Sequence, residues 1–315
     1  MPLDTQRPLV IWRLSDGKPG HEKQTLGLAR SLLKKRGGEC LTLATPPSFS
    51  SLVHWITGRF PPGHALPAPD FILAAGHATH FALLAARRAR GGKAILLMKP
   101  SLPLSLFDLC IIPEHDSPPR HDKVIPVRGV LNDVTTSPDK NPALGLMLIG
   151  GRSAHFQWDD PTIWRAVETI AQSQPGVTWR LTTSRRTPES FLHCAPDGLP
   201  ANLELIPHAR TGPGWLESAL AECAQVWVTE DSVSMLYEAL TAGAAVGLLR
   251  LPASRPSRVR RGVESLLADR WVTAFAQWPA GMPLTATGRR FNEAERVADL
   301  ILGSQSAAGR CCSRG

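Results

Sequence analysis

The sequence lacks an apolar run long enough to cross a bilayer and a cysteine pattern typical of a metal site. None of its apolar runs approaches the roughly 18 residues that suggest a transmembrane helix. Its six cysteines form no CxxC motif and no pairing with histidine at metal-ligand spacing. We therefore expect reduced structural thiols and no bound metal. Charges surround the short apolar patch of Met1–Arg13, which is unlike a secretory signal, so these absences favour a cytoplasmic protein.

Aromatic residues are scarce, at 6% with a single tyrosine. Hydrophobic residues make up 43% and charged residues 20% of the 315 positions. This is ordinary globular composition, and it excludes disorder as the main state. The length predicts about two domains.

Positive charge is concentrated in the first half of the chain. The net charge is +8, and up to Lys140 there are 18 basic residues against 11 acidic ones. Such a surface suits an anionic partner, which could be a nucleotide, an acidic lipid surface or nucleic acid, although a solvated basic surface explains it equally well. No aromatic and basic residues interleave as nucleic-acid sites require, so we expect no nucleic-acid partner.

Short apolar runs alternate with amphipathic stretches along most of the chain, and this pattern predicts an α/β fold with parallel sheets. The predicted strands are Pro8–Leu14, Cys40–Ala44, Phe71–Ala75, Ala94–Met98, Leu109–Pro113, Lys123–Val127, Leu144–Ile149, Thr178–Thr183, Leu203–Pro207, Gln225–Thr229 and Ala245–Leu249. The predicted helices are His21–Arg36, Thr79–Arg90, Pro161–Ser173, Gly214–Cys223, Asp231–Ala242, Arg258–Ala268 and Phe291–Leu302.

A polar segment with two prolines, Leu131–Pro142, is the best domain boundary. We predict two Rossmann-like doubly wound domains, residues 1–137 and 138–303, followed by a disordered tail at 304–315. The predicted helix near residue 300 could cap either half. We expect the domains to face a cleft, with ligands at the carboxyl ends of the strands.

The first candidate loop is Ser15–His21, between a predicted strand and a predicted helix. Gly17 and Gly20 permit close backbone approach, and the helix start offers unpaired amides to an anion. Lys18 could hold a phosphate. His21 could act as a general base toward a substrate hydroxyl. A glycine-containing turn with a polar cap is the structural alternative.

Two further loops carry groups that suit phosphate. Gly150, Gly151 and Ser153 follow the first strand of the second half, and two glycines there could expose amides to an anion. Arg185 and Arg186 follow the next strand among hydroxyl residues. For the loop that carries Arg185 and Arg186, the alternative is a helix-entry loop whose arginines are solvated.

The fourth loop, Thr229–Glu238, joins a strand to a helix. Ser232 and Ser234 could meet a diphosphate. Glu238 could accept both hydroxyls of a ribose, or it could be a buried carboxylate paired with an arginine.

An acidic and histidine cluster, Glu114, His115 and Asp116, follows a first-half strand. These residues could orient an acceptor or bind a cation. Three consecutive side chains cannot all reach one ion, so no metal is predicted there.

Five motifs occur in an order that resembles one known family. They are SDGKPGHEKQTLGLARSL, PEHD, GGRSAHF, TTSRRTP and TEDSVSMLYEALTAG. Together they resemble the mitochondrial-fission factor family first named in plants for elongated mitochondria. The resemblance covers about Leu9 to Leu302 and implies a glycosyltransferase-B-like architecture of two Rossmann domains.

The segment Gln225–Leu249 also looks like the donor site of the glycosyltransferase that adds N-acetylglucosamine to lipid-linked muropeptide. This likeness implies that Glu238 holds the donor ribose, that His21 is catalytic, and that the GGRS loop binds the nucleotide sugar. The acidic pair Glu230 and Asp231 departs from that enzyme, and a cation or arginine would have to separate it from a diphosphate.

These resemblances imply a nucleotide-sugar glycosyltransferase acting on a cell-envelope acceptor, either lipid-linked or a polysaccharide. No cofactor is expected beyond the nucleotide sugar as substrate. The basic first half would lie against the anionic inner membrane, making this a cytoplasmic, peripheral protein. The alternative is a non-enzymatic, membrane-associated scaffold of the mitochondrial-fission factor type.

Overall fold

The structure, a computed structural model, describes residues 7–254 and 257–311. The chain divides into two compact units. The first unit is the chain up to Asp133 together with the segment from Glu293 onward, and the second unit is Val134–Asn292. Each unit contains one six-stranded sheet whose neighbouring strands are all parallel. The change of unit after Asp133 lies inside the polar segment Leu131–Pro142.

The first unit alternates strands with helices. Its strands are β1 (Leu9–Ser15), β2 (Gly38–Ala44), β3 (Phe71–Ala75), β4 (Lys93–Leu97), β5 (Leu109–Pro113) and β6 (Val124–Val127). Its first three α-helices are α1 (Pro19–Arg36), α2 (Ser48–Thr57) and α3 (His80–Arg90).

The sheet of the first unit has the strand order β2-β1-β3-β4-β5-β6. Alternate residues of each inner strand pack on opposite faces, so Ile11 lies in a core cluster with α1, and Trp12 lies in the cluster with α3. Burial on both faces explains why these strands are continuous apolar runs. The strand order reverses between β1 and β3, and ligands of open α/β sheets bind at the carboxyl ends of such a strand pair.

The second unit repeats this plan with a different strand order. Its strands are β7 (Asn141–Leu148), β8 (Thr178–Thr182), β9 (Leu203–Ile206), β10 (Cys223–Thr229), β11 (Ala245–Leu249) and β12 (Thr273–Ala274). Its α-helices are α4 (Asp160–Ser173), α5 (Glu189–His193), α6 (Trp215–Glu222), α7 (Val233–Ala242) and α8 (Arg258–Ala268).

The sheet order of the second unit is β12-β11-β10-β7-β8-β9. This is the Rossmann order, with the reversal between β7 and β10. Its core is built around Trp179 and Trp227, both fully buried, together with the apolar face of α4.

The last helix, α9 (Glu293–Cys311), belongs to the first unit. Val297, Ala298 and Ile301 join the core cluster that contains residues of α1, and Lys34 of α1 pairs with Glu295 at 3.1 Å. The prediction that the second domain runs to residue 303 is therefore wrong, because the apolar stripe of α9 packs on α1.

The structure also differs from the sequence prediction at the C-terminus. Backbone in helical conformation continues to Cys311, past residue 304, where the predicted disordered tail begins. The rest of that predicted tail, residues 312–315, lies outside the described residues.

Candidate functional site

The loop after β1 places a histidine and a carboxylate together at the reversal point of the first sheet. Nδ1 of His21 lies 2.9 Å from Oδ2 of Asp16. The side chain of Asp16 is 6% exposed and that of His21 is 17% exposed. Within the described chain, no hydrogen bond joins His21 Nε2 to another group.

The imidazole of His21 also lies against the loop after β3. A Cβ atom on Gly76, which has a φ of 80°, would lie 2.3 Å from Cε1 of His21. Only glycine satisfies both this φ and this contact. The loops after β1 and β3 therefore meet at the switch point of the sheet, where the strand order reverses. The ring of His21 is held between Asp16 and the Gly76 backbone.

Hydrogen bonds stabilise the ionised form of Asp16. Burial by itself would raise the pKa of Asp16. Hydrogen bonds from His21 and from the Lys18 amide, with the nearby positive charge of Lys18, outweigh burial and lower the pKa below its ordinary value. Asp16 is thus an anion that can orient the ring of His21.

The start of α1 differs from the predicted anion site. The amides of His21 and Glu22 both donate to the Lys18 carbonyl, at 2.9 and 3.0 Å. They are therefore not unpaired donors as the sequence analysis expected. Gly17 adopts a φ of 75°, and Gly20 lies in the first turn of α1. Lys18 Nζ lies 3.6 Å from Asp16, and its side chain remains 57% exposed.

The predicted acceptor-side residues form one turn of 3-10 helix, Glu114–Asp116, at the carboxyl end of β5. The ammonium of Lys99 donates to the backbone carbonyl of Asp116. Among the described residues, no three His, Cys, Asp or Glu side chains are arranged to hold a metal ion. The role in orienting an acceptor stays a prediction.

Sequence reasoning missed His80 at the first turn of α3. It is buried, its Nδ1 lies 3.3 Å from the Ser101 hydroxyl, and its ring makes an edge contact with Phe107. Burial lowers its pKa to about 4, so it is neutral at physiological pH. The sequence signal is Gly76-His-Ala-Thr-His80, which directly follows β3.

At the reversal point of the second sheet, the loops after β7 and β10 are tied together. The Gly150 amide donates to the Thr229 hydroxyl at 2.8 Å, and the Gly151 amide donates to Asp231 Oδ2 at 2.8 Å. A Cβ atom on Gly150 would lie 2.2 Å from the Ser232 hydroxyl. The two amides predicted to bind a phosphate are therefore already bonded within the chain.

Asp231 is the centre of this arrangement. Besides the Gly151 amide, Arg186 Nη2 lies 3.0 Å from the same Oδ2, and the Ser232 hydroxyl lies 3.3 Å from it. Burial raises the pKa of Asp231, and the Gly151 amide and Arg186 offset only part of that effect. Its other oxygen, Oδ1, is buried without a hydrogen-bond partner in the described structure.

The adjacent carboxylate, Glu230, has its own arginine. Arg250 Nε and the Leu251 amide both donate to Glu230 Oε2 at 3.1 Å. Each member of the acidic pair thus has an arginine partner, Arg186 for Asp231 and Arg250 for Glu230, and the separation of the pair from a diphosphate stays a prediction.

The remaining predicted phosphate groups lie around these loops. The Ser153 hydroxyl accepts from the His155 amide at 3.3 Å, and Arg185 is exposed. Ser232 is the N-cap residue of α7 without a side-chain cap, and Ser234 in the first turn is exposed. Arg186 bonds to Ser232 as well as to Asp231, so it links the loop after β8 to the start of α7.

Glu238 lies one turn along α7 from Ser234. Its Oε1 accepts a hydrogen bond from the Ser234 hydroxyl at 3.2 Å, and the residue is 3% exposed. Both a ribose-binding carboxylate and a structural carboxylate would be buried, so the burial of Glu238 does not distinguish its two alternatives.

Comparison with known proteins places this chain in a family. The family model described as mitochondrial fission ELM1 matches residues 19–304. The chain belongs to the mitochondrial fission ELM1 family. A relative, the uncharacterized protein RP120 of Rickettsia prowazekii, is 22% identical, with 92% of this chain and 97% of the relative covered.

Solved structures similar to this ELM1-family chain support its glycosyltransferase-B-like fold. A protein assigned as a UDP-N-acetylglucosamine 2-epimerase from Listeria monocytogenes has a TM-score of 0.60 at 13% identity, over 96% of this chain and 97% of that one. MurG of Acinetobacter baumannii has a TM-score of 0.51 at 16% identity, over 95% of this chain and all of that one. At such identity these likenesses show the fold alone.

The described part of this family member includes no helix with the length and apolar character needed to cross a bilayer.

Proposed function

We propose that this protein transfers a sugar from a nucleotide-sugar donor to a cell-envelope acceptor, either lipid-linked or a polysaccharide. The observation that carries the proposal is the hydrogen-bonded pair of Asp16 and His21 at the switch point of the first sheet. An imidazole held by a carboxylate, with its second nitrogen unbonded in the described structure, is suited to accept a proton.

In the proposed reaction, His21 Nε2 takes the proton of an acceptor hydroxyl. The acceptor oxygen then bonds to the anomeric carbon as the bond to the nucleoside diphosphate breaks. Asp16 acts through His21: it fixes the tautomer and stabilises the imidazolium that forms. Glu114, His115 and Asp116 would orient the acceptor from the carboxyl end of β5.

The donor is proposed to bind at the switch point of the second unit. Arg185 and Arg186 would contact the diphosphate together with the hydroxyls of Ser232 and Ser234. Glu238 would hold the ribose. Arginines and helix amides can neutralise a leaving diphosphate, so the proposal includes no cofactor besides the donor itself. A protein of similar fold is assigned as a UDP-N-acetylglucosamine 2-epimerase, and this supports a nucleotide sugar as the ligand class.

The proposed location is the cytoplasmic face of the inner membrane, with the protein bound peripherally. The excess of positive charge up to Lys140 supports it, because each Lys or Arg near an anionic surface adds about 1 kcal/mol of attraction.

A thermal-shift screen against UDP, GDP, CMP and ADP sugars tests the proposal. A ligand at 100 times its Kd stabilises a protein by roughly 2.7 kcal/mol, so one of these sugars should raise the Tm clearly. A matched screen with the free sugars is the control, since they lack the diphosphate. If no nucleotide sugar binds, the protein is better explained as a non-enzymatic scaffold.

Product analysis then separates two enzyme classes. A transferase releases the nucleoside diphosphate and needs an acceptor. Conversion of the donor sugar without any acceptor would instead identify an epimerase and overturn the transferase proposal.

A further inference from the structure

Helix α2 turns its apolar face toward solvent. Phe49, Val53 and Ile56 are 78%, 41% and 63% exposed, and Leu52 beside them is half-buried. Their spacing is the i, i+3, i+4, i+7 pattern of a single helix face. Of the five large apolar side chains exposed in the described chain, three lie on this one ten-residue helix.

The other face of α2 is anchored to the unit. Ser51 is fully buried, and its hydroxyl donates to the Pro46 carbonyl at 3.0 Å. The ring of Trp55 packs on Phe81 of α3 with centroids 5.9 Å apart. The outward orientation of the apolar stripe is therefore fixed by packing.

Two arginines flank the C-terminal end of this stripe. Arg59 follows Gly58, the C-cap residue of α2, and is exposed. Arg88 of α3 lies beside the same glycine, since its Nε would be 3.3 Å from a Cβ atom placed on Gly58. Within the described chain, neither guanidinium has a carboxylate within ion-pair distance. We call Phe49, Leu52, Val53, Ile56, Arg59 and Arg88 the α2 face.

We propose that the α2 face binds the surface of an anionic lipid bilayer, with the apolar stripe inserted at the headgroup boundary and Arg59 and Arg88 on lipid phosphates. An interfacial helix needs only a shallow apolar face with flanking positive charge. A stable protein dimer buries about 1,200 Å² or more, far beyond what three or four side chains offer. The inference rests on the membrane location proposed above and assigns it to one face.

The chain enters α2 from the carboxyl end of β2, the strand that neighbours β1. The segment that leads from β2 into α2 is hydrogen-bonded to the end of β1, through the Thr45 amide and the Ser15 carbonyl at 2.8 Å. Helix α2 begins three residues after Thr45, so its start and the loop that carries His21 follow neighbouring parallel strands at the same edge of the sheet. A lipid-linked acceptor in the bound bilayer would have its headgroup near that loop.

Vesicle flotation with the full chain, without nucleotide, tests the inference. Vesicles of phosphatidylcholine with phosphatidylglycerol should float the protein, and vesicles of phosphatidylcholine alone should float it less. The triple variant Phe49→Gln/Val53→Gln/Ile56→Gln should bind at least about tenfold more weakly, because its apolar insertion is lost. The matched control is Met282→Gln/Leu300→Gln, which removes the other two exposed apolar side chains and should bind like the wild type.

The charge contribution has its own pair of variants. Arg59→Gln/Arg88→Gln should weaken binding to the anionic vesicles roughly tenfold. Lys93→Gln/Arg120→Gln removes the same charge from exposed positions of the same unit and should have a smaller effect. Circular dichroism and Tm confirm that each variant folds.

Absence of flotation by the wild type, or equal flotation by the triple variant, overturns the inference. So does a concentration-dependent dimer that the triple variant abolishes, since a second copy would then cover this face. Nucleotide binding is measured separately. If the protein floats but binds no nucleotide sugar, the lipid-binding role of the α2 face stands and the transferase proposal fails. If it binds a nucleotide sugar but does not float, only the role of the α2 face fails.

Discussion

At the switch points of the two sheets, the pKa values of two aspartates, Asp16 and Asp231, are shifted in opposite directions. In the first unit, Asp16 is stabilised as an anion, and it holds His21, whose Nε2 has no hydrogen-bond partner in the described structure. In the second unit, Asp231 is buried with a raised pKa and accepts from a glycine amide and an arginine. The first arrangement leaves one ring nitrogen of His21 without a partner in the described structure, whereas in the second the amide and guanidinium donors are used in hydrogen bonds that join loops. Variants at the two points should therefore affect different quantities.

The largest effect is expected for His21→Ala. Loss of a general base should lower turnover by about 10²–10⁴, with little change in donor affinity or in Tm. Single-turnover kinetics on the nucleotide sugar identified in the screen measures this. His80→Ala is the matched histidine control, since it should lower Tm through lost packing. Full turnover by the His21→Ala variant would show that His21 is not the general base.

Glu238→Ala should weaken nucleotide binding by roughly 10–150-fold if the carboxylate holds the ribose, because a charge-assisted contact is lost. Alanine favours the helix, so α7 itself should persist. Calorimetric titration and Tm should be recorded together. A large fall in Tm at unchanged affinity would assign Glu238 a structural role, because removing one partner of a buried pair leaves the other uncompensated.

Asp231→Ala should lower the free energy of unfolding by about 1–3 kcal/mol, because the Gly151 amide loses its acceptor and remains buried. Asp231→Asn should cost less, since its amide oxygen can still accept from Gly151. Denaturant titration of both variants measures the difference. Equal losses would mean that the ion pair with Arg186, and not the hydrogen bond from Gly151, accounts for the stabilisation by Asp231.

The smallest effect on stability is expected for Asp16→Asn, and this effect depends on pH. The pKa of Asp16 is lower in the folded protein than its ordinary value of about 3.9, so its ionised form stabilises the fold. The stability difference between wild type and variant should be constant above about pH 5 and should vanish as the pH falls through the folded pKa. Denaturant titrations across this range test the sign. A difference that grows toward low pH would contradict the assignment.

Much of the fold follows from the sequence because its strands are buried on both faces. All eleven predicted strands exist, most with ends shifted by one to three residues. The predictions omit α2, α5 and β12. Helix α5 has five residues and β12 has two, which is too short for a periodic pattern. Helix α2 depends on its packing against α3, and its apolar stripe points outward.

The site is less accessible to sequence reasoning. The loops could be located, because they follow strands that share one edge of a sheet. The hydrogen-bond partner of each amide could not be predicted from the sequence. Gly151 and Asp231 lie far apart in the chain, and they meet only because β7 and β10 are neighbours in the sheet. The same limit applies to α9, because an apolar stripe in the sequence does not tell on which unit the helix packs. It applies also to Gly76, whose contact with His21 depends on the position of β3 beside β1.

The return of α9 to the first unit makes the second unit an insertion within the first. During synthesis, the core that Leu28 and Leu32 share with α9 stays uncovered until the whole second unit has left the ribosome. At about 5–20 residues per second, this interval is roughly 10–30 seconds, which is long compared with the folding of most single domains. The second unit can therefore fold first, although the first unit begins earlier in the chain. A nascent chain stalled before Glu293 should expose an apolar surface to chaperones that the finished protein covers.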